Sequence, residues 1–310
     1  MPKLKRVTKL CAAVLLLCLS GLPVKARITC EMPPVTYTSP MGADFLRWNV
    51  EALCSPQFEG RASGDSAAFW CSAWIRRSFE MAGLKPLGDS WFQSFELPSG
   101  GRGRNVVGCI PGTSGKWIVV GAYYDGLGTV GGRLYPGADA NASGVAALIS
   151  LAFNAPDRPR DGIIFAAFDG HAQNYCGARE LLELLGKRNI RLMVNLDTMG
   201  STLAPVERRH RRFLIALGGE RYESVLGTCA RLPGLKLYYD YYRSDKFTRL
   251  FYRKLGEQRV FLEAGIPAVV FTSGITFNTN KYTDTPETLD YEVLRARVLC
   301  ISRWLSIISS

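Results

Sequence analysis

A chain of 310 residues, 47% hydrophobic and 21% charged, suits a globular protein of one large or two small domains and excludes a disordered or fibrous one. Its formal net charge is +11, but Lys3, Lys5, Arg6, Lys9 and Lys25 fall in the first 26 residues, which hold no acid, so residues 27–310 carry +6. That balance is modest, and no basic residues interleave with aromatics, so composition speaks against nucleic-acid binding.

Residues 1–26 join a basic stretch, "MPKLKRVTK", to a short apolar core, "LCAAVLLLCLSGL", and a small-x-small site, "VKA". This predicts a secretory signal peptide cut after Ala26, leaving residues 27–310 as a single exported domain, periplasmic or extracellular. A lipoprotein anchor through Cys18 fits less well, because Leu17 stands where a small residue belongs. No later stretch is long and apolar enough to span a bilayer. Seven cysteines remain after Ala26, without a CxxC; export permits disulfides, an odd count leaves a free thiol, and pairing stays open. Several of these cysteines read as small core residues.

The stretch 65–84 predicts a helix capped by Asp65, with Ala68, Cys71, Ile75, Phe79 and Ala82 as its buried stripe and Gly83 ending it. Four apolar runs predict buried strands at 116–124, 161–169, 190–197 and 267–273. Helical patterns separate them at 142–154, 175–186 and 220–231, and a last helix near 290–308 places Leu294, Val298, Ile301, Leu305 and Ile308 on one face. The basic run "ERRHRR" (207–212) reads as a solvated loop. Buried strands alternating with amphipathic helices predict a three-layer αβα sandwich around a central, largely parallel mixed sheet. Ligands in such sheets gather at the carboxyl ends of the strands. Four segments fall there, "YYDG" (123–126), "DGHAQN" (169–174), "DTMG" (197–200) and "GITFNTNKYTDTPE" (274–287), and the turn "GADANASG" (137–144) joins them.

In order and spacing, "FEGRASGDSAA" (58–68), "NVVGCIPG" (105–112), "GADANASGVAAL" (137–148), "FAAFDG" (165–170), "NLDTMGS" (195–201), "GIPAVVFTSG" (265–274) and "YTDTPETLDYE" (282–292) resemble the secreted aminopeptidases that use two co-catalytic zinc ions. Glutaminyl cyclases and the protease-like domain of transferrin receptor share that fold. The resemblance covers nearly all of 27–310 and implies five metal ligands and a glutamate base. Such metals lower the pKa of a bound water from 15.7 to about 7.

Mapped onto this chain, the first histidine position holds Tyr123 and the bridging aspartate position, just before Asn141, holds Ala140. The base and the next ligand fall at His171 and Ala172. The aspartate of N-L-D is present as Asp197, and the last histidine position holds Asn280. Two accessory histidine positions map to Lys246, after "RSD", and Thr276, after "TSGI". One ligand of five survives, and the only histidines after residue 26, His171 and His210, match no ligand position. The two-zinc site is therefore not expected to form, since zinc needs three or four well-placed donors.

What remains is read as a vestigial cleft. Asp197 is expected as a strand-end aspartate accepting backbone hydrogen bonds, and Asp125 as an acceptor or turn cap. Asp139 and Asn141 are expected to hold the turn and start the next helix, and Gly60, Arg61 and Gly64 to be structural. His171 is expected to line the cleft; no G-x-S-x-G elbow offers it a nucleophile, and Cys176 falls within the following helix. Tyr124, Tyr175 and Tyr282 join Tyr123 at the rim, near Lys246, Thr276 and Arg243. The leading expectation is an exported pseudoenzyme that binds a peptide or an envelope component. The alternatives are a hydrolase using a recruited or different site, and a structural or partner-docking domain.

Overall fold

The apolar runs become the middle of a sheet because strands covered on both faces can carry almost no polar residues. In a computed structural model, which describes residues 39–187, 189–241 and 243–310, nine strands form that sheet. In chain order they are β1 (Lys85–Pro86), β2 (Phe92–Glu96), β3 (Arg102–Ile110), β4 (Trp117–Tyr123), β5 (Gly162–Phe168), β6 (Ile190–Asp197), β7 (Phe213–Leu217), β8 (Lys236–Tyr238) and β9 (Ala268–Thr272). The spatial order is β1-β3-β5-β4-β6-β9-β7-β8, with β2 also paired to β3. The central four, β5-β4-β6-β9, run parallel, while β3 joins β5 and β7 joins β9 antiparallel. The expected mixed, largely parallel sheet is thus parallel at its centre.

The helices are α1 (Ala43–Leu53), α2 (Ser66–Met81), α3 (Ser143–Phe153), α4 (Cys176–Leu185), α5 (Glu223–Arg231), α6 (Asp245–Arg253), α7 (Gln258–Glu263) and α8 (Tyr291–Ile308). Strand alternation sorts them into two layers. Val120 and Val194 face a cluster with Leu46, Ile75, Leu148, Leu226 and Trp304, from α1, α2, α3, α5 and α8. Val119 and Met193 face Leu181 of α4 and Phe261 of α7. A third cluster closes the β7 edge, where Phe213, Ile215 and Leu217 meet Tyr241. All described residues belong to one compact unit.

The four predicted strands and the helices at α2, α3, α4 and α8 lie where the sequence places them, within a few residues. The stretch 220–231 opens as a short 3-10 turn, Glu220–Tyr222, before α5. Asp65 occupies the N-cap position of α2, but its side chain makes no capping hydrogen bond. Ala82 and Ile308 are half-buried rather than core. Of the seven cysteines after Ala26, six are described; Cys54, Cys71, Cys109, Cys229 and Cys300 are buried as small core residues and Cys176 is half-buried. Cys30, the leader and Cys18 lie outside the described residues. No described helix is long and apolar enough to cross a membrane.

Candidate functional site

The turn 137–144 is built as a bracket between strand ends. Gly137 has φ +57°, and a Cβ there would stand 2.6 Å from the Ala140 carbonyl oxygen. Asn141, fully buried, donates from Nδ2 to the carbonyls of Tyr123 (3.3 Å) and Leu196 (3.0 Å) and accepts the Thr198 N–H (3.0 Å) on Oδ1. One amide side chain thereby ties the carboxyl ends of β4 and β6. Asp139 accepts from the Gly200 N–H (2.7 Å) and the Ser143 hydroxyl (3.1 Å). Asp284 accepts the N–H groups of Asp139 (2.8 Å) and Ala140 (3.0 Å). Asp139 and Asn141 thus hold the turn, as expected, but beneath the cavity, and the helix after it is capped at Ala142 without a side-chain bond.

Gly144 tests this bracket. A Cβ there would lie 2.4 Å from Asn141 Oδ1 and 2.7 Å from the Leu196 carbonyl oxygen, which cannot swing away. Gly144→Ala is expected to cost about 2–3 kcal/mol of stability, read as a lower urea midpoint at unchanged slope.

Tyr123 ends β4 and stacks on His171, with ring centroids 3.7 Å apart and planes 19° from parallel. Tyr175 closes on the other edge of His171 at 5.3 Å and 72°. The His171 N–H donates to both oxygens of Asp125 at 3.1 and 3.0 Å. His171 Nδ1 meets Glu257 Oε1 at 2.7 Å. Glu257 is fully buried, and its second oxygen has no partner among the described residues. Burial by itself would lower the His171 pKa, but Glu257, with Asp125 and Asp197 nearby, carries it from 6.5 up to about 9. Burial raises Asp125 to about 7, with Asp169 adding to the rise. Burial likewise raises Asp197 to about 6, against the pull of His171. Asp197 lies beside the Tyr123 side chain, which opposes the rise, and the expected backbone donors to its carboxylate are not found among the described residues.

The mapped positions converge. Tyr123, Ala140, His171, Ala172 and Asn280 line one small cavity with Asp125, Lys281 and Asp284. Tyr123, His171 and Asn280 also border a second cavity of about 240 Å³, lined further by Tyr175, Asp197, Tyr241, Phe251 and Gln258. Together they form a two-lobed cleft at the carboxyl ends of β4, β5, β6 and β9.

Four sequence assignments need correction. Tyr124 follows Tyr123 on a strand, so its side chain turns to the opposite face; its hydroxyl donates to the Arg104 carbonyl (2.8 Å) and Asp169 (3.2 Å) and lines a separate groove. Lys246 is exposed on α6 and borders neither lobe. From that region Gly256 and Gln258 reach the cleft, because the chain returns to the sheet only as α7 leads into β9. Thr276 is buried within its own loop, accepting the Asn278 N–H (3.2 Å). Tyr282 lies on the surface against Tyr135 and Arg133 and borders neither lobe.

Sequence reading missed Glu257, Gln258 and Asp284. The available signal for the first two was "GEQRVFLEAGIPA" (256–268), polar residues opening a helix that feeds directly into a central strand. Asp284 was visible inside "YTDTP", where a carboxylate near a helix start reads as a cap.

Whether these residues suit a metal can be judged from their chemistry. Ala140 and Ala172 offer methyl groups, Asn280 an amide and Tyr123 a phenol. His171 holds its Nδ1 against Glu257. Among the described residues no group of three or more His, Cys, Asp or Glu side chains is arranged to hold a metal ion. The donor set does not fit a two-zinc centre.

A sheet parallel at its centre, with five loop segments meeting around a cleft at its strand ends, defines an α/β protein with its cleft where such sheets bind ligands. The chain belongs to peptidase family M28, whose model matches residues 105–304. It is 25% identical over 191 residues to the alkaline phosphatase isozyme conversion protein of Escherichia coli, covering 55% of each chain. It is 29% identical over 206 residues to a probable zinc metalloprotease of Pyrenophora tritici-repentis, covering 54% of this chain and 48% of that one. The chain spans about half the length of these curated relatives. Among solved structures, the glutaminyl cyclase of Fimbriiglobus ruber superposes with a TM-score of 0.69 at 18% identity, covering 89% of this chain and 99% of that one. BSAP, a zinc aminopeptidase from Bacillus subtilis, superposes with a TM-score of 0.66 at 13% identity, covering 88% and 96%. At these identities the superpositions establish the fold.

Proposed function

We propose that this protein is an exported, single-domain member of its family that binds a ligand in the cleft and does not hydrolyse peptides by two-metal chemistry. The observation that carries this reading is the convergence of Tyr123, Ala140, Ala172 and Asn280 around one cavity, with His171 committed to Glu257. Residues on four separate chain segments have thus lost their donors together, while the bracket around Asn141 is intact. A protonated His171 supplies positive charge beside Asp125, Asp197 and Glu257.

The larger lobe, about 240 Å³ with Tyr175, Tyr241 and Phe251 in its walls and Asp197, Gln258 and Asn280 as polar points, is smaller than the roughly 300–1,000 Å³ of drug-sized sites. It suits one peptide side chain or a small envelope component. The leader at 1–26 supports export.

The test is to purify residues 27–310, measure bound zinc by mass spectrometry, and assay aminoacyl-nitroanilide hydrolysis with zinc added. Substoichiometric zinc and background turnover are expected. Stoichiometric zinc together with chelator-sensitive turnover would overturn the reading.

A further inference from the structure

Helix α6 (Asp245–Arg253, DKFTRLFYR) is strongly two-sided yet has no buried residue. One edge holds it to the protein: Phe251 stacks on Tyr241 with centroids 4.5 Å apart, and the Tyr252 hydroxyl donates to the Ala268 carbonyl at 3.0 Å. The same apolar stripe runs outward through Phe247, 53% exposed and stacked on Phe251 with centroids 6.3 Å apart, to Leu250, 43% exposed. Exposed Lys246, Arg249, Arg253 and Lys254 flank them. Single exposed apolar residues are ordinary; two at the outer margin of a helix stripe beside a row of cations are a pattern.

A second basic segment lies alongside. Arg243, just before α6, pairs with Glu207 at 2.8 Å and so ties the loop 207–212 to the helix. Arg208, Arg209, Arg211 and Arg212 of that loop are exposed, and its one acid, Glu207, is already engaged by Arg243 and by Arg209 at 3.2 Å.

We propose that α6 and the loop 207–212 form a docking surface for an anionic lipid bilayer. Short amphipathic helices with Phe and Leu on one side and Lys and Arg around them lie at the headgroup boundary, apolar side chains among the acyl chains and cations on the phosphates. The bilayer is chosen because the exposed cations of α6 and of the loop match its phosphates while Phe247 and Leu250 beside them match its acyl chains. Leu255, 38% exposed, follows α6 and lines the larger lobe of the cleft, so docking brings that lobe close to the bilayer.

The test uses the chain from Arg27, which contains every described element and omits the apolar leader. It is floated with vesicles of phosphatidylcholine alone and of phosphatidylcholine mixed with phosphatidylglycerol. Binding is expected to the mixed vesicles only, and to weaken as salt screens the cations. Each cation near such a surface is worth about fivefold in binding, equivalent to about 1 kcal/mol, so Lys246→Gln, Arg249→Gln and Arg253→Gln together should lower binding about a hundredfold. Phe247→Ser with Leu250→Ser, which leaves the charge unchanged, should lower it at least tenfold. Thermal melting should match the wild type in both variants; where it does not, the single variant Lys246→Glu is used, with at least a tenfold loss expected. No flotation with the mixed vesicles overturns the proposal. So does full binding by the Phe247/Leu250 variant, which would mark a general polyanion surface such as one for an acidic protein.

Discussion

Arg61→Ala is expected to destabilise the fold by about 4 kcal/mol, enough to unfold a marginally stable domain at physiological temperature. Arg61 is 1% exposed, and its guanidinium donates to four backbone carbonyls. Nε reaches the Tyr124 carbonyl (2.8 Å), Nη1 reaches those of Leu53 and Pro136, and Nη2 that of Gly137 (3.1 Å). One side chain therefore joins the end of α1, the end of β4 and the start of the 137–144 turn. Alanine would leave buried carbonyls without donors, and lysine, lacking the planar fork, should recover only part of the loss. Urea unfolding of wild type, Arg61→Ala and Arg61→Lys checks this. A loss below about 1 kcal/mol for alanine would show that the carbonyls find other donors.

His171→Ala is expected to cost about 3 kcal/mol near pH 7 and much less near pH 10. His171 has its pKa raised from 6.5 to about 9 in the folded protein. A histidine raised on folding stabilises fully below its unfolded pKa, and that stabilisation is lost as pH rises through the folded value. The wild type should therefore lose stability between about pH 6.5 and 9, while the variant lacks that limb. Asp125 and Asp197, raised by burial, work in the same direction at lower pH, because folding favours their protonated forms. Removing His171 also leaves Glu257 buried without its cation, so adding Glu257→Gln should restore part of the loss. Unfolding curves at both pH values for the two single variants and the double variant provide the measurement. A His171→Ala cost that does not change with pH would remove the charged pair as its cause.

Much of the architecture is legible in local pattern. Strand β5 is buried at all seven positions and reads as an unbroken apolar run, and α2 and α8 carry clear stripes. Strands β7 and β8 escaped because five and three residues are too short to show a period, and β7 follows directly on the basic run. Strand β3 escaped because Gly103 and Gly108 interrupt it. Helix α6 escaped because nine residues hold only four apolar ones, too few to mark a stripe by eye.

The site divides in the same way. Residues 123, 140, 171, 172, 197 and 280 could be placed from motifs, and the fold brings all of them to the two-lobed cleft. The alternation of strand side chains would have sent Tyr124 to the opposite face, and that rule was available in the sequence. The pairing of Glu257 with His171 was not available, since the two meet across 86 residues of chain.

The sequence by itself determined the central strands, the helices between them and the loops that meet at the strand ends, because burial periodicity is a local property. Only the tertiary structure decided that His171 pairs with Glu257, that Asp197 and Tyr123 share one cavity, and that Asn141 joins two strand ends. Those partners are chosen by the distance between groups after the chain has folded, and no local period encodes that distance.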